Sequence, residues 1–173
     1  LCRFLVLKNL GMKMTHLQRA YIFDIDGVLA DCSHRLHFIQ QEPKDWKRFY
    51  ENSDKDEVIQ PNKNTLRLLR NALHGYQTRG ILFVTGRSEA YRELTMNWLK
   101  KKVWGCFGNF YDDMLFMRKD GDFRPDWEVK KEIYEKELKD KYEILGVFED
   151  RSQVVQMWRS LGLTCYQVCE ANY

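Results

Sequence analysis

Three features that assign many proteins to a class are missing from this 173-residue sequence. No apolar run approaches the roughly 20 residues that a membrane-spanning helix needs. No G-x-x-x-x-G-K-[ST] occurs, so the phosphate-binding loop of ATP-dependent P-loop enzymes is absent. The cysteines are odd in number and form no CxxC pair, which argues against a zinc site or a disulfide framework and favours a reducing cytoplasm. They are Cys2, Cys32, Cys106, Cys165 and Cys169.

Length and composition indicate one domain with a substantial core. Hydrophobic residues make up 44% and charged residues 31% of the chain, as in ordinary globular proteins. The net charge of +3 permits a polyanionic partner without indicating one. Residues 1–14 have an apolar patch and no persuasive cleavage site. We interpret them as an N-terminal extension, with Met12 or Met14 as the candidate start and residues 15–173 as the domain.

Strand-like and helix-like patterns alternate along the chain. Apolar runs predict strands at residues 21–23, 80–84, 114–117, 144–148 and 164–168. Helical spacing predicts helices at residues 61–73, 88–99, 127–141 and 152–161, with Gly75 and Gly162 as two of the helix stops. The alternation predicts an α/β fold with a Rossmann-like parallel sheet covered on both faces, which is a three-layer architecture.

The first strand delivers two aspartates, Asp24 and Asp26, and Gly27 then allows a sharp turn. A carboxylate at the end of a buried strand is costly without a metal or a partner. The alternative is a solvated, Asp-rich turn without chemistry.

Later stretches favour chemistry at this strand end. Thr85-Gly86-Arg87 follows the second strand, Lys130 lies in a predicted helix, and Glu149-Asp150 ends a further strand. Ligands of open parallel sheets bind outside the carboxyl ends of the strands, so these groups should converge on one pocket. Thr85 as a helix cap and Lys130 as a surface lysine remain the structural alternatives.

This order of D-x-D-G, strand-end threonine, lysine and acidic pair resembles the haloacid dehalogenase superfamily of phosphatases. The resemblance is narrower in D-G-V-L-A-D-x-x-x-R, V-T-G-R, D-W-E-V-K-K-E-I-Y and the stretch from Glu149 to Val168. These motifs are similar to the 3′-phosphatase domain of polynucleotide kinases of the T-even bacteriophage type, from about Ala20 to Tyr173. The resemblance implies the haloacid dehalogenase fold, with residues 32–60 as a small helical cap insert; a plain surface hairpin is the alternative.

The resemblance also implies roles for individual residues. Asp24 would be the nucleophile that forms an aspartyl-phosphate, and Asp26 the general acid and base. Mg2+ would be held by Asp24, the Asp26 carbonyl and Asp150, with Glu149 in support. Lys130 would neutralise charge between Asp24 and the phosphate. The residues expected to bind or support the phosphate site are Thr85, Gly86, Arg87, Arg35 and, by orienting Lys130, Asp126.

The function implied is a Mg2+-dependent phosphomonoesterase that removes 3′-phosphate from DNA or RNA ends. No 5′-kinase activity is expected, because the P-loop motif is absent, and a separate kinase or ligase is a candidate partner. One alternative is a nucleotidase or other small-molecule phosphatase with the same catalytic core. Another is a non-catalytic nucleic-acid-binding module. Two departures from the pattern are Val28 in place of a common threonine and Glu149 in place of an aspartate.

Overall fold

The computed structural model describes residues 17–73, 80–105 and 110–171. The predicted extension at residues 1–14 and the predicted helix stop at Gly75 lie outside these ranges. Across the described residues, no helix combines the length and the apolar character that crossing a membrane requires.

The described residues form two sheets, and the larger one is parallel throughout. Its five strands lie in the order β5-β4-β1-β6-β7, so β1 is central and its end is flanked by the ends of β4 and β6. The strands are β1 (Gln18–Phe23), β2 (Ala30–Asp31), β3 (Glu57–Val58), β4 (Ile81–Ser88), β5 (Leu115–Arg118), β6 (Tyr142–Arg151) and β7 (Cys165–Ala171).

The apolar side chains of β1 and β4 alternate between the two faces of this sheet. Phe23 and Phe83 belong to one buried cluster, which also contains Trp98. Ile22 and Leu82, the neighbours of those two phenylalanines, belong to the other cluster, with Trp158 and other helical residues. Helices therefore cover both faces, which confirms the predicted three-layer α/β architecture and the haloacid dehalogenase fold.

Helices connect most of the strands of the main sheet. They are α1 (His37–Gln40), α2 (Trp46–Glu51), α3 (Gln60–Leu73), α4 (Arg92–Trp98), α5 (Asp126–Ile133) and α6 (Ser152–Ser160). α4 and α5 continue into wider π-helical turns at Leu99–Trp104 and Tyr134–Leu138. The helix predicted at residues 127–141 is thus one α-helix with a π-helical end, and Gly162 follows α6 at a φ of 80°.

Four strands, β1, β4, β6 and β7, are longer than the apolar runs that predicted them. β4 continues to Ser88 and β6 to Arg151, because their main chains still pair with β5 and β7 there, at Ser88 with Arg118 and at Arg151 with Ala171. β1 begins at Gln18, which pairs with Tyr142. Main-chain pairing does not require apolar side chains, so the sequence pattern marked only the buried part of each strand.

The insert predicted at residues 32–60 is a small helical cap. It contains α1, α2 and two short 3-10 turns, and its apolar residues Ile39 and Phe49 are buried. The sequence did not predict β2 and β3, which pair antiparallel at the two ends of the insert, with Ala30 opposite Val58. This pairing holds the cap beside the end of β1.

Candidate active site

The predicted site residues meet at the carboxyl ends of the three central strands. Asp24 follows β1 directly, Thr85 lies in the last half of β4, and Glu149 and Asp150 lie near the end of β6. All four are at most 5% exposed. Gly27 turns the chain away from the sheet at a φ of 76°, a conformation that favours glycine.

Lys130 on α5 is at the centre of one group of charges, which we call the lysine cluster. Its Nζ lies 2.9 Å from Asp24 Oδ2, 3.0 Å from Asp126 Oδ2 and 2.8 Å from Glu149 Oε2. Asp126 lies one turn earlier on the same helix, as the sequence predicted for a residue that orients the lysine. The cluster consists of Asp24, Asp126, Lys130, Glu149 and Asp150.

Negative charge exceeds positive charge in the lysine cluster, and its pKa values reflect this. Burial raises the pKa of Glu149 to about 7; the Lys130 ammonium opposes this shift, while Asp126 and Asp150 add to it. Burial likewise raises the pKa of Asp24 well above its ordinary value, against the attraction of Lys130. For Lys130, burial opposes the charged form, but its three carboxylate neighbours raise the pKa. Another cation would favour the ionised carboxylates.

The lysine cluster offers oxygen ligands that fit a hard divalent cation. One oxygen each of Asp24, Glu149 and Asp150 lies within 4.8 Å of the others. Asp24 Oδ1 is buried and has no hydrogen-bond partner among the described residues. Glu149 is less available, because Oε2 accepts from Lys130 and Oε1 accepts from the backbone N–H of Asp150. The donors thus fit a metal held mainly by Asp24 and Asp150.

A second group of charges, the arginine cluster, surrounds Asp26. It consists of Asp26, Arg35, Asp56 and Arg87. Arg35 Nη2 and Arg87 Nη2 each donate to Asp26 Oδ1 at 2.5 Å. The same two groups donate to Asp56 Oδ2 at 2.7 and 2.8 Å, and Arg35 Nε donates to Asp56 Oδ1 at 2.7 Å. Burial acts to raise the pKa of Asp26, but Arg87 and Arg35 outweigh it and lower the pKa to about 2.

Sequence reasoning missed Asp56, although its side chain is fully buried between both arginines. It follows a charged stretch, Asp54-Lys55, in which nothing distinguishes it from an exposed residue. Arg35 and Arg87 were expected to bind phosphate, and here their guanidinium groups contact the two carboxylates. Their contact with phosphate remains a prediction.

The other two predicted phosphate ligands, Thr85 and Gly86, lie near the end of β4, and their contact with phosphate also remains a prediction. Thr85 Oγ1 accepts a hydrogen bond from the Arg87 N–H at 3.3 Å, so its own hydroxyl hydrogen is available to a ligand. Gly86 allows a close approach of α5, because a Cβ at this position would collide with Oδ1 of Asp126. Arg118 Nε donates to the Gly86 carbonyl at 2.8 Å and steadies this loop.

A pocket of about 750 Å3 opens above these groups, between the cap and the segment at residues 118–126. Asp24, Asp26 and Thr85 line its inner end, and Tyr50 on α2 joins the cap to the core by donating to the Gly86 carbonyl at 3.3 Å. Arg151, which the sequence analysis left without a role, also lines it, 3.9 Å from Asp126. Its position directly after Glu149-Asp150 was the signal that could have identified it.

This fold with this constellation defines a phosphatase of the haloacid dehalogenase type. The chain belongs to the family of polynucleotide kinase PNKP phosphatase domains, whose model matches residues 18–173. Membership makes it a hydrolase of phosphate monoesters, of the polynucleotide phosphatase type.

Relatives agree with this assignment. A predicted bifunctional polynucleotide kinase/RNA ligase of Autographa californica nuclear polyhedrosis virus is 33% identical over 152 residues, which cover 87% of this chain and 19% of the viral protein. A chain of the Pnkp1/Rnl/Hen1 complex is 30% identical with a TM-score of 0.69, over 94% of this chain and 50% of that one. The present chain thus spans at most half the length of either relative.

A third similarity concerns the fold alone. The class C acid phosphatase from Bacillus anthracis, solved with tungstate bound, is 15% identical with a TM-score of 0.60, over 99% of this chain and 74% of that one.

Proposed function

We propose that this protein removes the 3′-phosphate from DNA or RNA ends through an aspartyl-phosphate on Asp24, with Mg2+ as cofactor. The observation that supports the proposal best is the difference between the contacts of the two Asp24 carboxylate oxygens. Oδ2 is fixed by Lys130 at 2.9 Å, while the buried Oδ1 has no hydrogen-bond partner among the described residues, and Asp24 lines the pocket. One oxygen is thus oriented and the other is available.

Positive charge is the first requirement of this reaction. A carboxylate and a phosphate oxygen about 4 Å apart repel each other by about 4 kcal/mol at an effective dielectric constant near 20. Lys130 offsets part of this repulsion from beside Asp24. Asp24, Asp150 and the Asp26 carbonyl, with Glu149 in support, would hold Mg2+, which when bound offsets phosphate charge and favours the ionised form of Asp24.

In the first step Asp24 Oδ1 attacks phosphorus, and the bond from phosphorus to the 3′ oxygen breaks. Asp26 donates a proton to the departing 3′ oxygen. The pKa of about 2 makes Asp26 an anion in the ligand-free protein. A phosphate dianion beside Asp26 disfavours the ionised carboxylate and raises its pKa, so the bound substrate favours the protonated form that acts as the acid. Thr85 donates its hydroxyl to a phosphoryl oxygen.

In the second step Asp26 accepts a proton from water, whose oxygen attacks the aspartyl-phosphate. Inorganic phosphate leaves and Asp24 is regenerated. Arg35 and Arg87 orient Asp26 in the ligand-free protein, and substrate phosphate competes with Asp26 for their donors.

The named relatives support a role beside a kinase and a ligase. One carries polynucleotide kinase and RNA ligase in its name, and another comes from a complex of Pnkp1, Rnl and Hen1. We therefore propose nucleic-acid end repair as the setting, with the kinase and ligase steps performed outside these 173 residues.

A nucleotidase is the second candidate function, and the size of the pocket favours it. About 750 Å3 lies in the range of roughly 300–1,000 Å3 that encloses small molecules. The same catalytic residues would then serve a mononucleotide.

The deciding experiment measures inorganic phosphate released from matched oligonucleotides that carry phosphate at the 3′ or the 5′ end, and from mononucleotides. We expect release from the 3′ end alone, lost with a chelator and in Asp24→Asn. Asp140→Asn is the matched control, because Asp140 is exposed. Acid-quenched reactions should contain protein-bound phosphate that hydroxylamine releases. Retained activity in Asp24→Asn would exclude the covalent mechanism, and release chiefly from mononucleotides would favour the nucleotidase.

A further inference from the structure

The outer walls of the pocket carry aromatic rings that the phosphatase chemistry does not use. Trp46 on α2 lines one wall and is 43% exposed. Phe123, in the segment opposite, lines the other wall and is 91% exposed. Single exposed apolar residues are common, but two large exposed rings that line one pocket beside a phosphate site are suited to a planar ligand.

The ring on the cap side is held in place by other aromatic residues. Trp46 stacks on Tyr50 with ring centroids 5.9 Å apart and meets Phe49 edge-on at 5.8 Å. Tyr50 contacts Tyr91 at 5.2 Å and is tied to the Gly86 carbonyl. Trp46 is therefore positioned relative to the end of β4, and little conformational entropy is lost when a ligand stacks on it.

Both walls carry cationic side chains. On the cap side Lys44 lies 5.9 Å from the Trp46 ring centroid and forms no ion pair among the described residues, and Lys47 is paired only at 3.8 Å with Glu51. On the opposite wall Arg124 is neutralised by Asp122 at 2.6 Å and by Glu132 at 2.7 Å. Lys119 on the same wall as Arg124 is paired only at 4.0 Å with Glu132. Available positive charge thus lies on both walls, and Lys44 is the cation beside Trp46 that a polyanionic chain can contact.

From these observations we infer that Trp46 and Phe123 form a stacking site for the unpaired terminal base of a 3′-phosphorylated polynucleotide, with the preceding phosphodiester beside Lys44. The inference rests on the proposed function. The terminal phosphate lies at Asp24 and the base between the rings, which requires that the base has left any partner strand. Single-stranded or frayed 3′ ends are then better substrates than blunt duplexes, and the identity of the base matters little.

The experiment compares kcat/KM on a single-stranded 3′-phosphorylated oligonucleotide with the same oligonucleotide whose terminal nucleotide is abasic. We expect Trp46→Ala and Phe123→Ala each to lower kcat/KM about tenfold on the normal end, mainly through KM. On the abasic end the loss should shrink below about twofold, because no base remains to stack. Trp46→Phe keeps a ring and should recover most of the loss. Leu68→Ala is the matched control, since Leu68 is 70% exposed and does not line the pocket.

Binding gives a second measurement that does not depend on turnover. In an Asp24→Asn background, the 3′-phosphorylated oligonucleotide should quench tryptophan fluorescence, and Trp46→Phe should remove that quenching. Trp98, Trp104 and Trp158 are at most 3% exposed and should not respond. Trp127 is 36% exposed, so the measurement is made in a Trp127→Phe background.

The outcomes separate the inference from the proposed function. If the wild-type protein releases 3′-phosphate from normal and abasic ends equally well, or if Trp46→Ala loses as much on the abasic end, the stacking site is wrong and the 3′-phosphatase stands. If only mononucleotides release phosphate, the proposed function fails and the inference fails with it.

Discussion

Asp24 and Asp26 are two residues apart, yet their surroundings have opposite electrostatic character. The lysine cluster holds four carboxylates and one ammonium group, which contacts three of them, and burial raises the pKa of Asp24 despite the attraction of Lys130. In the arginine cluster two guanidinium groups face two carboxylates, and Arg87 and Arg35 overcome burial to lower the pKa of Asp26 to about 2. Negative charge thus exceeds positive charge in the lysine cluster, whereas the charges of the arginine cluster are balanced.

The comparison shows what the ligand-free protein still lacks for the proposed reaction. A nucleophile must be ionised and an acid must be protonated, but here the pKa of Asp24 is raised and that of Asp26 is lowered. A cation in the lysine cluster would lower the pKa of Asp24, and a phosphate dianion beside Asp26 would raise the pKa of Asp26. Catalytic protonation states would then arise only when cofactor and substrate are bound together.

The largest effect is expected when the lysine cluster loses its one ammonium group. Lys130→Met keeps the length of the side chain and leaves the carboxylates of Asp24, Asp126 and Glu149 without their shared partner. We expect kcat to fall by about 10²- to 10³-fold, because a group that stabilises charge in the transition state is lost. Steady-state phosphate release at saturating Mg2+ measures this.

Lys139→Met is the control for that change, since Lys139 is exposed near the end of the same helical segment. It should keep full activity. A Lys130→Met protein that worked within a fewfold of wild type would show that the cation alone meets the charge requirement of the site.

The next effect concerns the balance of the arginine cluster. Asp56→Asn keeps the shape of the side chain but removes one of the two charges that face Arg35 and Arg87. A buried charge without its partner is costly, so we expect the free energy of unfolding to fall by about 3 kcal/mol. Urea unfolding measures this, and Asp54→Asn, at an exposed position in the same turn, should change it little. Equal stability of the two variants would mean that Asp26 alone balances both arginines.

The two clusters also differ in how far the sequence predicts them. Asp24, Thr85, Glu149 and Asp150 each end or follow an apolar run, and parallel strands bring their carboxyl ends to one edge. Their convergence therefore follows from local patterns. Asp56 ends a polar stretch without periodicity, and only the pairing of β2 with β3 and the burial of the cap bring it to Arg35 and Arg87.

The motifs did not predict which anions Arg35 and Arg87 bind in the folded protein. The resemblance assigned Arg35 and Arg87 to phosphate, while in the structure their donors bind carboxylates that lie 9 to 61 residues away in the chain. A buried arginine binds whichever anion the tertiary structure brings near, and no local pattern encodes that choice. The facing rings of Trp46 and Phe123 were missed for the same reason, because α2 and the segment at residues 118–126 meet only in the folded chain.

The last expected effect is a pH dependence confined to the lysine cluster. Burial raises the pKa of Glu149 from 4.5 to about 7, so between these values the folded protein holds a proton that the unfolded chain has released. Stability of the metal-free protein must then fall as pH rises through this window, by on the order of 3 kcal/mol from this group, with Asp24 acting in the same direction. Mg2+ requires ionised carboxylates, so its stabilising effect should grow over the same window. Asp26 does not change the stability in this pH window, because its pKa of about 2 and its ordinary value of 3.8 both lie below the window.

Urea unfolding at pH 5 and pH 7.5, with Mg2+ or with chelator, measures this pH dependence. Glu149→Gln should flatten the dependence of the metal-free protein on pH. An unchanged slope in that variant would assign the titration to other groups.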